Sequence, residues 1–283
     1  MKTAMYYENK NGVVQCHLCP HSCIIPFGQR GFCIARANRN GKLVAESFGR
    51  LTSISLDPIE KKPFRHFHPG RMILSLGSYG CNFRCDFCQN HEISMREAHW
   101  RIITPEEVAT LSHRYVPQGN IGVAFTYNEP LIGYEFVREC AFLIHRQGQQ
   151  NVLVSNGYIN PEPLMALLPF IDAMNIDLKA FTPQFYKKVD GELEIVKAAI
   201  AIAAQTCHIE ITTMVIPGIN DSADEMESLA EWLSSINKAI PLHIARFYPR
   251  YKMSSTTPTS LSILRSLANI AAKHLLYVYL GNC

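Results

Sequence analysis

The sequence predicts an α/β fold in which a cysteine-rich N-terminal extension precedes a parallel sheet. Short apolar runs rich in β-branched residues begin at residue 71 and alternate with longer amphipathic stretches, as in βαβ units. Seven of the ten cysteines lie between residues 16 and 88. The chain has 283 residues, of which 47% are hydrophobic and 18% charged, so it can bury one large core.

Residues 1–70 are expected to form an irregular extension, because they contain several glycines and few periodic runs. Residues 71–283 are expected to form the sheet domain. Its predicted strands cover 71–78, 121–126, 151–156, 172–178, 208–216, 241–247 and 275–280. A helix is expected from Pro105, after a capping Thr104, and others over 131–147, 161–168, 192–205, 222–237 and 259–273. About six such repeats can wind into a barrel, and a flat doubly wound sheet is the alternative.

Charge and hydropathy argue against nucleic-acid and membrane partners. The net charge is +3, and the basic stretch KKPFRHFHPGR at 61–71 is interpreted as a solvated connector. The start MKTAMYYENKNG lacks the apolar region of a signal peptide, and no run of eighteen apolar residues occurs. We therefore expect a cytoplasmic protein, in which clustered cysteines are more often metal ligands than disulfides.

Three cysteines follow the first predicted strand in the stretch YGCNFRCDFCQNHEIS, residues 79–94. Cys81, Cys85 and Cys88 form a C-x3-C-x-Φ-C pattern, in which Phe87 is the aromatic residue and could shield a metal centre. Three soft thiolates can hold three irons of a four-iron cluster and leave the fourth iron open. The alternatives are a structural zinc loop, or a ferredoxin-like site whose fourth cysteine lies elsewhere.

Further motifs stand at the ends of the following predicted strands. They are TYNEP (126–130), SNGY (155–158), NIDLK (175–179), ITTMVIPGIND (211–221) and HIARFYP (243–249). In this order, behind the cysteine loop, they resemble the radical S-adenosylmethionine (SAM) superfamily. The resemblance implies a partial (β/α)6 TIM barrel that holds a [4Fe-4S] cluster and SAM. It also implies an oxygen-sensitive, oxidoreductase-like enzyme in which an electron from a flavodoxin- or ferredoxin-type donor cleaves SAM. The resulting 5′-deoxyadenosyl radical abstracts hydrogen from a substrate.

The resemblance also implies which residues contact SAM. Tyr127 and Asn128 replace two glycines of the family's motif for the SAM amino group, and Glu129 and Pro130 are retained. Further cofactor contacts are expected from Ser155 and Asn156 (ribose hydroxyls), Lys179 (carboxylate), Thr212 or Thr213, and Arg246 (adenine). Each also has a structural interpretation: a helix-start acid for Glu129, an Asn-Gly turn for SNGY, and a surface Asp177–Lys179 pair. His243 is interpreted as a core histidine, and no catalytic acid or base is indicated.

Within the superfamily, the chain resembles the pyruvate formate-lyase activating enzyme-like branch, and most of all the radical SAM enzyme of the AmmeMemoRadiSam system. The segments that carry this likeness include 16–33, DPIEKKPFRHFHPG (57–70), RFYPRYKM (246–253) and YVYLGN (277–282). The resemblance implies Memo-type and AMMECR-type partner proteins and a small-molecule or protein substrate. One alternative is an activating enzyme for a glycyl-radical enzyme. An alternative of another class is a non-catalytic zinc or iron–sulfur protein.

The extension carries a second cysteine group with the pattern C-x2-C-x3-C-x9-C, formed by Cys16, Cys19, Cys23 and Cys33. Four thiolates could bind zinc or an auxiliary iron–sulfur cluster. The Cys-Pro element is similar to that of ferredoxins, whereas a segment without its own core needs a structural ion, which favours zinc. Cys140 and Cys207 are interpreted as buried apolar residues.

Overall fold

The computed structural model describes residues 2–283, and its first part is a small module of short strands over residues 2–51. These strands are β1 (Lys2–Thr3), β2 (Tyr7–Lys10), β3 (Val13–Cys16), β4 (Ile24–Ile25), β5 (Arg36–Arg39), β6 (Lys42–Ala45) and β7 (Arg50–Leu51). They pair antiparallel in two three-stranded sheets, β2-β3-β4 and β1-β6-β5. We call residues 2–51 the N-terminal module. The expectation of an irregular extension is wrong, because strands of two to four residues are too short to give a periodic signal.

The main sheet has eight strands in the order β16-β15-β14-β13-β12-β11-β9-β8. Seven of them are parallel, and the edge strand β8 runs antiparallel to β9. Their bounds are β8 (Ser53–Pro58), β9 (Met72–Gly77), β11 (Asn120–Phe125), β12 (Gln150–Ser155), β13 (Ala173–Asp177), β14 (His208–Val215), β15 (Leu242–Arg246) and β16 (Val278–Gly281). The short β10 (Arg101–Ile102) pairs with β7. Because β8 belongs to this sheet, the structural division lies near residue 52 and not at residue 70.

Helices follow the parallel strands, as the alternating pattern predicted. They are α1 (His91–Ser94), α2 (Pro105–Arg114), α3 (Tyr134–Arg146), α4 (Pro161–Leu167), α5 (Pro183–Lys188), α6 (Leu193–Ala203), α7 (Ala223–Ile236) and α8 (Leu261–Ala271). The expected cap of α2 is confirmed: Thr104 and Glu107 form a reciprocal capping box, with Pro105 in the first turn. Among residues 2–283, no helix is both long and apolar enough to cross a membrane.

The sheet is curled around residues 59–70, which we call the floor segment. Lys62 Nζ donates to Asp57 on β8 (3.0 Å), and the imidazole of His66 lies 2.7 Å from the hydroxyl of Tyr279 on β16. Lys62 and His66 are four residues apart, so the two outer strands approach each other across this segment. The predicted partial barrel is therefore confirmed, with seven parallel strands and not six.

The floor segment, expected to be a solvated connector, is solvent-exposed in part, but it buries three of its residues. Ile59 and Phe64 are fully buried and pack inside the barrel against Ile73, Ala124 and Val152. The charged residues of KKPFRHFHPGR suggested solvent exposure. Lys62, however, is 3% exposed and pairs with Asp57. The floor segment closes the barrel at the amino ends of the strands, and the motifs described above stand at the opposite end.

Candidate functional site

The cysteine loop begins directly after β9, at the carboxyl edge of the parallel sheet. Gly80 adopts a positive φ of +89°, and its N–H donates to Ile93 O (2.8 Å), so the loop returns on itself. Cys88 N–H donates to Cys85 O (3.2 Å). This turn keeps three thiols on one short loop, which is where a parallel barrel carries its chemistry.

Aromatic packing fixes the middle of the loop. Phe83 is fully buried between Tyr158 and Tyr186, with ring centroids 5.1 Å and 6.1 Å away. Phe87 is 8% exposed and packs on Phe185 at 5.9 Å. Its expected role as a shield for a metal centre stays a prediction, and its burial makes it part of the wall behind the loop.

The thiols of the loop lie in a buried environment with one nearby cation. Burial raises the pKa of Cys85 to about 12 and that of Cys81 well above its usual value, so both are protonated unless a positive partner binds them. Lys179 opposes this effect on both thiols, and Phe83 N–H donates to Cys81 Sγ (3.3 Å). Such surroundings favour thiolates that are bound to metal ions.

Lys179 projects from the end of β13 and pairs with Asp177 at 3.0 Å. Burial disfavours its charge, but the Asp177 carboxylate, and Cys85 when it is a thiolate, outweigh burial and raise the pKa of Lys179. The side chain of Asp177 is 36% exposed and that of Lys179 is 17% exposed. The pair therefore borders the cysteine loop from the fourth predicted strand, as the NIDLK motif indicated.

Asn156 links the third motif to the cysteine loop. Its amide nitrogen lies 3.8 Å from Cys81 Sγ and donates to Asn82 Oδ1 (2.9 Å). Asn82 in turn donates to Tyr158 O (2.7 Å). Sequence reasoning missed Asn82, although its position between two cysteines could have indicated that it shapes the loop.

The expected role of Glu129 as an acceptor for the SAM amino group stays a prediction, and its carboxylate already has partners within the protein. The residue is 3% exposed, and its two carboxylate oxygens accept from Leu131 N (2.9 Å), Ser155 Oγ (2.8 Å) and Asn156 N (2.8 Å). Burial outweighs these hydrogen bonds and raises its pKa to about 7. Glu129 therefore orients Ser155 and Asn156, and Ser155 Oγ also accepts from Gly157 N (3.0 Å).

The side chain of Asn128 is likewise committed within the protein. Its Oδ1 accepts from Ser78 N (2.9 Å) and its Nδ2 donates to Gly80 O (3.0 Å), so it holds the entry of the cysteine loop. Tyr127 has a positive φ of +71°, a backbone conformation that glycine, the residue of the family motif at this position, adopts without strain. The hydroxyl of Tyr127 donates to Asp57 (2.8 Å). Sequence reasoning missed this Tyr127–Asp57–Lys62 contact, because the three residues come from separate motifs.

The expected SAM contacts of Thr213 and Arg246 stay predictions, and the structure gives both side chains a place within the fold. Thr213 alternates with Thr212 along β14, and Thr212 faces the barrel interior, where it donates to Asn175 (2.8 Å). Thr213 therefore faces the helices, and Thr212 is the residue on the interior side. Arg246 ends β15, but its guanidinium donates to Thr259 O (2.7 Å) and Tyr248 Oη (3.0 Å), so it orders the loop after the strand.

The donor set fits the group that the cysteine pattern predicts. Three thiols share one loop, the amide nitrogen of Asn156 lies 3.8 Å from Cys81 Sγ, and the charge of Lys179 lowers the pKa of two of the thiols, which suits a thiolate-bound iron–sulfur cluster. Across residues 2–283, no three Cys, His, Asp or Glu side chains are gathered tightly enough to hold a single metal ion.

The N-terminal cysteines lie on the other side of this loop. Burial raises the pKa of Cys19 to about 12 and that of Cys33 to about 11. His21 lies 2.8 Å from Asn82 O, and Arg84 contacts Phe32 through its guanidinium. The N-terminal module is therefore packed against the cysteine loop.

Comparisons with known proteins agree with this geometry. The profile of the Radical SAM superfamily matches residues 76–233. An uncharacterized protein of Methanocaldococcus jannaschii is 40% identical over 100% of this chain and 85% of its own length. The indoleacetate decarboxylase activating enzyme of Tractidigestivibacter scatoligenes is 23% identical over 80% of this chain and 75% of its own. Among solved structures, a domain of a pyruvate-formate lyase-activating enzyme from Bacteroides vulgatus superposes with a TM-score of 0.51 at 18% identity, covering 56% of this chain and 98% of that domain.

Proposed function

The chain belongs to the radical SAM superfamily, and on that premise we propose that Cys81, Cys85 and Cys88 hold its catalytic [4Fe-4S] cluster. The observation that carries the proposal is the cysteine loop at the carboxyl edge of the sheet, with the Asn156 amide beside Cys81 and the charge of Lys179 acting on Cys81 and Cys85. When bound, the cluster and SAM supply a 5′-deoxyadenosyl radical that abstracts hydrogen from a substrate.

The protein's own side chains then have defined tasks. Lys179 offsets the negative charge of the thiolates and would form an ion pair with the SAM carboxylate. Asp177 positions the ammonium group of Lys179. The side-chain amide of Asn156 donates toward Cys81 Sγ, and its backbone N–H donates to the Glu129 carboxylate. We assign Glu129 and Asn128 as positioning residues, since their polar atoms are occupied by neighbouring loops.

The barrel interior excludes water from the reaction. The floor segment fills the amino end with Ile59 and Phe64, and the Asp57–Lys62 pair seals the edge beside β8. A reactive radical needs such a dry cavity more than it needs an acid or base. We propose that an electron donor of the flavodoxin or ferredoxin type reaches the cluster loop, in the cytoplasm.

We propose a substrate of the AmmeMemoRadiSam type, which is a small molecule or a Memo-type or AMMECR-type partner protein. The segment-by-segment likeness over nearly the whole chain supports this choice. Activation of a glycyl-radical enzyme is the second candidate, and it is favoured by the similarity to the indoleacetate decarboxylase activating enzyme.

The first experiment measures SAM cleavage. Anaerobically purified protein with dithionite and SAM is expected to form methionine and 5′-deoxyadenosine, quantified by liquid chromatography and mass spectrometry. Cys85→Ala should lower the rate by at least about 100-fold, because it removes a cluster ligand. Cys207→Ala is the matched control and should retain the wild-type rate, since Cys207 lies at the start of β14. Equal rates for the two variants would contradict the proposal.

A second experiment separates the substrate classes. Extract from cells grown in heavy water is divided by ultrafiltration into small molecules and proteins, and each fraction is incubated with enzyme and unlabelled SAM. Deuterium in 5′-deoxyadenosine should come from the fraction that holds the substrate. A glycyl radical signal in electron paramagnetic resonance, produced only with the protein fraction, would favour the second candidate.

A further inference from the structure

The four N-terminal cysteines surround one cavity inside the N-terminal module. Cys16 ends β3 and its N–H donates to Cys23 O (2.9 Å), which closes the hairpin that carries Cys19 at its turn. Cys33 precedes β5. The four cysteines line one pocket together with Leu18, His21, Ile25, Gly31, Arg36 and Ile132. The four thiols therefore border a common space.

Arg36 is the second, independent observation at this cavity. Its side chain is 2% exposed, and its Nη2 donates to Met5 O (2.5 Å) and Glu135 Oε1 (3.0 Å). Its Nε and Nη1 have no hydrogen-bond partner among residues 2–283. Glu135 compensates the charge of the guanidinium, but buried donors without acceptors are costly, so Nε and Nη1 indicate a further hydrogen-bond acceptor in the pocket.

Neutral thiols are weak hydrogen-bond acceptors, whereas thiolates bound to metal are stronger ones. A single zinc ion binds sulfur at about 2.3 Å and would draw the four thiols onto one point. An iron–sulfur cube instead keeps its four thiolates apart and offers sulfides as acceptors for Nε and Nη1. In the part of the chain that the structure describes, no three Cys, His, Asp or Glu side chains are close enough to hold one metal ion, so the separated thiols favour the cluster over the zinc ion.

We propose that Cys16, Cys19, Cys23 and Cys33 bind a second [4Fe-4S] cluster, and that Arg36 stabilises its negative charge. The site adjoins the first cysteine loop, because Cys33 O packs directly against Gly80, the residue before Cys81. This proposal does not rest on the proposed function, since it concerns metal content and not turnover.

The decisive experiment isolates the second site. The triple variant Cys81→Ala/Cys85→Ala/Cys88→Ala, produced and purified without oxygen, is expected to retain about four iron and four sulfide per chain. It should be brown and give a paramagnetic signal after reduction with dithionite. Replacing Cys19 and Cys33 by Ala in the same background should remove this iron, and adding Cys207→Ala instead should leave it unchanged.

Stoichiometric zinc without iron in the triple variant would overturn the proposal, and so would iron that persists after loss of Cys19 and Cys33. Circular dichroism of each variant ensures that a loss of iron is not a loss of the fold. Failure of the proposed function would appear separately, as absence of 5′-deoxyadenosine from wild-type protein.

The role of Arg36 has its own readout. Arg36→Gln keeps donors but removes the charge, so the reduction potential of the second cluster should become more negative, and Arg36→Lys should restore it toward the wild-type value. Arg39→Gln is the matched control, because Arg39 pairs with Glu46 near the surface. An unchanged potential in Arg36→Gln would contradict the assignment of Arg36.

Discussion

At the scale of single residues, Gly80 joins the two cysteine groups. Its φ is +89°, and a Cβ at this position would stand 2.3 Å from Cys33 O and 3.0 Å from Ile132 Cδ1. Only glycine permits both the left-handed backbone and this close approach. The glycine before Cys81 is visible in the sequence, but the contact that requires it is not, because Cys33 is distant along the chain.

Gly80→Ala should therefore destabilise the protein more than the backbone conformation alone explains. Gly148→Ala is the control: Gly148 also has a positive φ (+71°), but its added Cβ would meet nothing within 4 Å. We expect about 1–2 kcal/mol from left-handed strain at either site, and about 1–3 kcal/mol more at Gly80 from the clash. Urea unfolding of both variants measures the difference, and equal losses would show that the module is not packed against Gly80.

Glu129 illustrates what residue patterns leave out. The TYNEP motif correctly indicated that Glu129 stands at the end of a strand, next to the site. Its hydrogen-bond partners Ser155 and Asn156 come from a different strand end, so the sequence could not reveal that they occupy both carboxylate oxygens. Likewise, strand alternation decides between Thr212 and Thr213 only when the register of β14 is known.

At the scale of elements, the floor segment is held by a buried ion pair. Lys62 Nζ is 3.0 Å from Asp57 and lies over the ring of Tyr127 at 4.5 Å. Burial opposes ionisation of Asp57, but hydrogen bonds from Tyr127 and Lys62 outweigh it and lower the pKa of Asp57. The ionised carboxylate of Asp57 is therefore stabilised inside the barrel by Lys62 and Tyr127.

Lys62→Met should cost about 3–5 kcal/mol of unfolding free energy, because it leaves a buried carboxylate without its main partner. Lys61→Met is a close control: Lys61 contacts the same carboxylate at 3.4 Å, but its side chain is 67% exposed, so its loss should cost less than about 1 kcal/mol. The double variant Asp57→Asn/Lys62→Met should recover part of the loss. Equal stabilities of the two lysine variants in denaturant unfolding would refute this account.

The elements that sequence patterns predict well are the long ones. Strands β9 to β15, apart from the two-residue β10, and helices α4 and α6 to α8 lie within two residues of their predicted bounds, because apolar periodicity and capping residues mark them. Helix α2 begins at the predicted Pro105, and α3 begins three residues after its predicted start. The last strand is displaced to Val278–Gly281, since the apolar Leu276 and Tyr277 that suggested an earlier start are exposed. The short strands of the N-terminal module depend on pairing between segments and leave no local pattern.

At the scale of the whole molecule, Glu210 connects the floor segment to two strands. Its fully buried carboxylate accepts from the backbone N–H groups of Arg65 and His66, at 2.8 to 3.0 Å. The imidazoles of His208 (3.1 Å) and His243 (2.6 Å) complete its surroundings, so His243 is a satisfied core histidine. One side chain thus holds together the floor, β14 and β15.

This arrangement makes stability depend on acid pH. Burial alone would raise the pKa of Glu210, but the hydrogen bonds from His208, His243 and the floor backbone lower it from 4.5 to about 2. The folded-state pKa is depressed, so the stabilisation is complete above pH 4.5 and is lost as pH falls toward 2. Over this range, the stability advantage of the wild type over Glu210→Gln should shrink by about 3 kcal/mol.

Denaturant unfolding at a series of pH values measures that advantage. Glu194→Gln serves as the control, because the side chain of Glu194 is 74% exposed, and its profile should follow that of the wild type. A constant difference between wild type and Glu210→Gln from pH 4.5 to 2 would mean that Glu210 is not ionised in the folded protein.

The ion pair between Arg36 and Glu135 joins residues 99 positions apart. During synthesis on the ribosome, the first fifty residues emerge long before the carboxylate that neutralises their guanidinium. Until helix α3 has left the exit tunnel, Arg36 must stay hydrated, because withdrawing an uncompensated cation from water is too costly. The N-terminal module is therefore synthesised first, but it can complete its packing around Arg36 only after helix α3 is available.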